Sequence, residues 1–228
     1  MQIGLIESSL TKNITEYHNI LEKIGYRLYM LYQKNPRKAA YFFLRTVVLP
    51  RSIFLDFLAK KGLNYGSIAG IISEWYFYHM INTVIKAERL KDLNVYNGYR
   101  LPFKWKKKGN KETVIDIAVW LQKPRRLIYC VEVKKNFEDG FSKYYKEQNI
   151  IYHHRTKGYK DFKYHYVAFS EIPKYIFNNY KSKIDTLKRR QQLWVFPSEK
   201  LVDNLDKALI GRARKFLGFL YNPLLEFK

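Results

Sequence analysis

The sequence predicts an α/β fold, a mixed central sheet flanked by helices, with a helical N-terminal extension. Three observations predict it. In the first part of the chain, apolar residues recur every three or four positions, the period of a helix face. From Asn97-Gly98 onward the period changes to two, in short apolar and β-branched runs bounded by turn signals. After Asp139 helical and strand-like segments alternate.

Residues 1–66 read as helical. Ile14, Tyr17, Leu21, Ile24, Leu28 and Leu31 form one apolar stripe, better explained by core packing than by a dimer seam. Asn35-Pro36 stops that helix and starts the next, with Asn as cap and Pro at the first helical position. Leu49-Pro50 punctuates again, and a short helix runs to Lys61 before Gly62. Ser67 is positioned to cap a longer helix through about Leu90, which carries Glu74 and His79 among bulky apolar residues. Asn97-Gly98 signals a turn into a strand from Tyr99 to Trp105. Gly109-Asn110 turns into a strand containing Asp116, and Lys123-Pro124 into one ending at Glu132-Val133-Lys134, so three strands should form an antiparallel meander. A helix from about Asp139 to His154 follows, then a strand over 164–169. Pro173 opens a helix ending in Lys188-Arg189-Arg190, Leu193 to Phe196 form a short strand, and Ser198 caps a last helix to about Leu220. With no repeat or low-complexity linker, the simplest division is an extension over 1–66 and one domain over 67–228.

Composition narrows the function. In 228 residues, 47% are hydrophobic and 17% aromatic, enough for a substantial core and too apolar for a disordered chain. Apolar runs are broken before membrane-spanning length and the N-terminus lacks a signal-peptide pattern, so no membrane association and a cytoplasmic location are expected. The lone cysteine, Cys130, excludes an intrachain disulfide and a cysteine-based zinc site. Forty-two Lys and Arg stand against 20 Asp and Glu, a formal charge of +22. The basic residues are interleaved with aromatics through a folded chain, which points to a nucleic-acid partner held through its phosphates.

The chemistry concentrates in two neighbouring strands. Asp116 lies inside the apolar run 113–121, and Glu132 and Lys134 close the run 127–134 on one strand face. A half-buried carboxylate is costly unless it is paired or binds a cation. Magnesium takes oxygen ligands and keeps several waters, so Asp116, Glu132 and a main-chain carbonyl of the same strand, Val133 among the candidates, suit it. No small-molecule cofactor is called for. Lys134 can orient a water or stabilise charge developing on a phosphate. Adjacent histidines such as His153-His154 face different ways on a helix and make a poor metal pair.

Asp116, fifteen intervening residues, then Glu132-Val133-Lys134, in the element order αβββαβ, resembles the PD-(D/E)XK nuclease superfamily over roughly residues 67–170. The resemblance implies a restriction-endonuclease-like core and magnesium-dependent hydrolysis of DNA phosphodiesters. It implies Asp116 and Glu132 as metal ligands, Lys134 as the catalytic lysine and Glu74 as an accessory acid. One departure is Ile115, where the family name has proline. Size and extensions are most like a type II restriction endonuclease acting as a homodimer on double-stranded DNA. The competing readings are a structure-selective nuclease, such as a Holliday junction resolvase or a repair or viral nuclease, and a basic DNA-binding protein without activity. Candidate DNA contacts are Lys104, Lys106, Lys107 and Lys108 at a hairpin, Lys135 and Asn136 just after the site, and Gln148 and Arg155 beyond it.

Overall fold

The apolar stripe of the N-terminal segment becomes one face of a long helix, α1 (Gln2–Lys34), with Tyr17, Leu21 and Leu28 buried and Ile14, Ile24 and Leu31 packed beside them. The stripe therefore meets the protein's own core, as core packing requires. This computed structural model describes residues 2–47, 65–105, 109–138, 140–145, 163–197 and 205–228. Helix α2 (Pro36–Thr46) starts as its sequence dictates: Asn35 caps it by accepting the Lys38 N–H at 3.0 Å, and Pro36 opens it. The breaks at Pro50 and Gly62 lie outside the described residues. Helix α3 (Tyr65–Ala87) already includes Ser67, so Ser67 is an early helical residue and not the cap. This helix is apolar on most sides because it lies in the middle of the core, with Ile72, Phe77, Met80, Ile81 and Val84 all buried.

Five strands follow the helices: β1 (Leu93–Trp105), β2 (Gly109–Gln122), β3 (Arg125–Lys134), β4 (Lys163–Ala168) and β5 (Leu193–Val195). They lie in that spatial order. The first three are an antiparallel meander, while β3–β4 and β4–β5 are parallel pairs, so the sheet is mixed. Asn97-Gly98 is not a turn. β1 runs through it, pairing Asn97 with Ile117 and Tyr99 with Ile115, while Gly98 adopts a left-handed φ of +65°. Glycine meets that φ without the penalty a side chain would bring, and the strand resumes in register.

Helices α4 (Lys174–Arg189) and α5 (Lys207–Leu225) complete the chain. α4 ends in the expected basic run. α5 is capped by Asp206, whose carboxylate accepts the Leu209 N–H, and it continues to Leu225; Ser198 lies outside the described residues. Of the helix expected over 139–154, residues 141–145 are described and are helical, following a turn at Gly140; 139 and 146–154 lie outside the described residues.

Strand alternation divides the apolar residues into two cores. Ile117, Val119 and Leu121 face α1, α2, α3 and α5, while Ala118, Trp120, Leu127 and Cys130 face Phe137, Phe141, Ile184 and Leu187 on the other side. Fully burying one such aliphatic or aromatic side chain contributes about 1.5–3 kcal/mol. Helices on both faces make this an α/β layered fold, and the N-terminal helices share one core with the sheet. Among the described residues, no helix is long and apolar enough to cross a membrane.

Candidate active site

The site forms where the β2–β3 ladder ends. Ile117 pairs with Val131, and beyond that point no β2–β3 pair is made. The interrupted pairing at Gly98 lies on the other side of the same β2 residue, Asp116. Ile115 and Ile117, two positions apart, join opposite cores, so the strand turns over at Asp116. The local break turns a core position into one that carries a carboxylate.

That carboxylate substitutes for the missing ladder. Asp116 Oδ2 accepts the Val133 main-chain N–H at 2.8 Å. The same oxygen lies 2.8 Å from Lys134 Nζ, which lies 2.8 Å from Glu132 Oε1 as well. Glu132 Oε2 accepts the Tyr164 hydroxyl at 2.9 Å. One ammonium thus joins two carboxylates whose side chains are 10% and 6% exposed. Removing two charges from water costs several kcal/mol each, which attraction offsets only with good geometry and further hydrogen bonds. Both are present here.

The protonation energetics follow from the packing. Burial and, after it, the nearby Glu132 charge raise the Asp116 pKa to about 6 against the opposing pull of Lys134 and the Val133 N–H. Burial also lifts Glu74, on α3, to about 7, with Asp116 and Glu132 adding to the shift and Lys134 opposing it. Glu74 therefore lies within the field of all three, so the structure brings together all four acidic and basic site residues expected from the sequence. Burial works against the Lys134 ammonium, but Glu132 and Asp116 outweigh it and hold its pKa above the ordinary lysine value. Lys134 stays charged at neutral pH.

Two residues around this cluster were not evident from sequence. Gly140 has φ +92°, and a Cβ there would lie 3.2 Å from Lys134 Cε. Its lack of a side chain leaves room for the lysine. Tyr164 holds Glu132 from a strand remote in sequence, and burial together with the Glu132 charge keeps its hydroxyl protonated. The only signal for either was an Asp-Gly pair and a tyrosine-rich strand, both common features. His79 takes a structural place: its Nε2 is 2.8 Å from His18 Nδ1, and burial with the His18 charge lowers its pKa to about 4.

A hard cation fits the donors as chemistry. The two carboxylates already converge on one positive group, the Lys134 ammonium, and main-chain oxygen is adjacent. Val133 sends its N–H toward Asp116, and in a strand the carbonyl of the same residue lies along the same edge. Among the described residues, no group of three or more His, Cys, Asp or Glu side chains is placed to hold a metal.

The remaining DNA candidates divide three ways. Lys135 is half-buried and Asn136 exposed directly after β3, beside the site. Lys104 pairs with Asn110 near the end of the β1–β2 ladder. Lys106, Lys107, Lys108, Gln148 and Arg155 lie outside the described residues.

No family model matches the chain, and no curated protein matches it. Among solved structures it is similar to the crystal structure of protein VC1899 from Vibrio cholerae, with 11% identity and a TM-score of 0.44. The similarity covers 90% of this chain and 57% of that one, so the chain spans just over half the length of that protein. A likeness this loose carries no argument about the fold or activity.

Proposed function

We propose that the protein is a magnesium-dependent nuclease that hydrolyses DNA phosphodiesters, built on a restriction-endonuclease-like αβββαβ core. The observation that carries this reading is the convergence of Asp116, Glu132 and Lys134 at the open end of β2–β3, with Glu74 in their field. An ordinary sheet has no need of two buried carboxylates there. Asp116, Glu132 and the Val133 carbonyl would hold the cation, which would polarise the scissile phosphate and lower the pKa of a bound water. Lys134, kept charged by its carboxylates, is placed to stabilise negative charge on the phosphate. Glu74 holds a proton up to about pH 7, so it can take up or release one at working pH. The formal charge of +22 supports a polyanionic substrate bound mainly through phosphates.

The finer reading is a sequence-specific type II restriction endonuclease, acting as a homodimer on double-stranded DNA. Digestion of a long DNA tests it: discrete fragments appearing only with magnesium support a restriction enzyme, and a smear or cutting confined to junctions supports a structure-selective nuclease. One observation favours a third reading, a non-catalytic DNA-binding protein. Lys134 already pairs with both carboxylates, so the cluster can stand as a structural ion network. Absence of cutting with magnesium or manganese on every DNA form tried would decide for that reading.

A further inference from the structure

Beside the proposed site, at the margin of the second core on the β1–β2–β3 meander, runs a short aromatic and arginine track that the catalytic reading does not use. Tyr99 pairs with Ile115, the residue preceding Asp116, and packs with the core on the side where Tyr164 binds Glu132. Its ring lies 5.5 Å from Trp120 and 5.2 Å from Tyr96. Arg125, the first residue of β3, caps the far end with its guanidinium 5.4 Å from the Trp120 ring centre and 3.5 Å from the Tyr99 hydroxyl. The track starts next to Asp116 and leads away from it along the sheet.

Folding does not account for this arrangement. Tyr96 is 37% exposed and stands beside the half-buried Tyr99, so the outer ring of the group is open to solvent. Trp120 is only 5% exposed, yet its indole N–H has no partner among the described residues. Buried donors are usually satisfied, so an unpartnered indole beneath an exposed ring marks a surface whose outer layer is incomplete. Aromatic rings stepped along a sheet face, with a guanidinium beside them, suit stacked unpaired bases. Every base has a π-face, and arginine serves both ring and phosphate. Duplex DNA offers no such faces along its side.

We propose that Tyr96, Tyr99 and Arg125 form a stacking track for an unpaired DNA strand that leads into the Asp116–Glu132–Lys134 site. The inference rests on the nuclease reading for its direction and deepens it by naming the substrate as DNA with a single-stranded segment beside the cut. It favours the structure-selective form over a plain duplex cutter.

Binding is measured on the full chain carrying Asp116→Asn, in EDTA at about 0.2 M salt to limit non-specific attraction. The probes are fluorescent oligo(dT) of about 20 nucleotides and a duplex of equal length. The added variants are Tyr96→Ala and Tyr96→Phe; the position is exposed, so neither change opens the core. Tyr96→Ala should weaken oligo(dT) binding about tenfold and leave duplex binding within about twofold, while Tyr96→Phe restores it. Unchanged oligo(dT) binding in Tyr96→Ala, or equal losses for both probes, overturns the track. Cutting by the protein with Asp116 intact is read separately. A chain that never cuts but shows the oligo(dT) pattern loses the nuclease reading and keeps the track, and a chain that cuts without the pattern loses the track alone.

Discussion

From Ile117 to Leu121, β2 is an ordinary core strand: apolar, fully buried and paired with neighbours on both sides. One residue earlier, at Asp116, the strand is still buried but its chemistry and pairing change. Pairing with β3 ends and pairing with β1 skips one position, a carboxylate replaces the aliphatic side chain, and hydrogen bonds to Val133 and Lys134 replace the β3 ladder. The same pattern holds on β3, where apolar Leu127–Val131 give way to Glu132 and Lys134. The two halves of the same strands teach that the chain keeps its sheet with one set of residues and holds a charged cluster with the next. The second set is costly for folding, which is expected at a functional site and not within a scaffold.

Stability measurements can break this comparison. Ile117→Ala, in the core half, should lower the unfolding free energy by about 2–5 kcal/mol in urea denaturation, because it leaves a cavity among packed side chains. Asp116→Asn should cost far less, since the amide oxygen still accepts the Val133 N–H and repulsion from Glu132 falls. Equal losses at the two positions would make Asp116 a structural residue.

Lys134→Met comes next. It leaves two buried carboxylates facing each other, a loss on the order of 3 kcal/mol at pH 7.5. The loss should shrink at pH 5, where Asp116 takes up a proton. Denaturation at the two pH values checks this, and a loss independent of pH would show that the lysine stem packs more than its charge pairs.

A smaller effect sharpens the electrostatic side. Folded Asp116 and Glu74 hold protons up to about pH 6 and 7. In the unfolded chain both release them near pH 4. Between those limits the folded state binds more protons, so this pair makes stability fall as pH rises. Stability measured relative to Asp116→Asn should therefore decline by on the order of 2 kcal/mol from pH 4 to pH 7. A flat difference would mean that Asp116 is already ionised in the folded protein throughout the range.

The smallest change is Gly140→Ala. A Cβ at φ +92° is strained and presses on Lys134 Cε, so stability should fall by roughly 1 kcal/mol, while any cutting activity falls more steeply because the lysine is displaced. A parallel fall in both would place Gly140 in the fold and not in the site.

The legible part of this protein was the part written locally. Asp116 stood out because an acid inside an apolar strand has little structural reason to be there, and the α1 stripe, the Asn35-Pro36 cap and the three-strand meander each follow from short-range rules. Asn97-Gly98 misled because that dipeptide favours a hairpin turn, whereas β2 pairs with β1 on both sides of it and carries the strand through. Ser67 misled in the same way: a good cap by type, it falls inside a helix that starts earlier, at Tyr65. Tyr164 and Gly140 act through neighbours set by parallel pairing and chain reversal, which no local pattern encodes. The site could be placed on its strands from sequence, but the lysine lying between its two carboxylates could not.

The central claim is that the charged half of β2–β3 is a hydrolytic centre, and parallel measurement of DNA cutting and DNA binding tests it most directly. Wild-type protein and Lys134→Ala are compared on supercoiled plasmid and on branched DNA, with magnesium and with EDTA. The account predicts magnesium-dependent cutting by the wild type, slowed at least about a thousandfold in Lys134→Ala, while binding in EDTA stays within a few fold. Undiminished cutting by Lys134→Ala, or no cutting of any DNA by the wild type with magnesium or manganese, would contradict it.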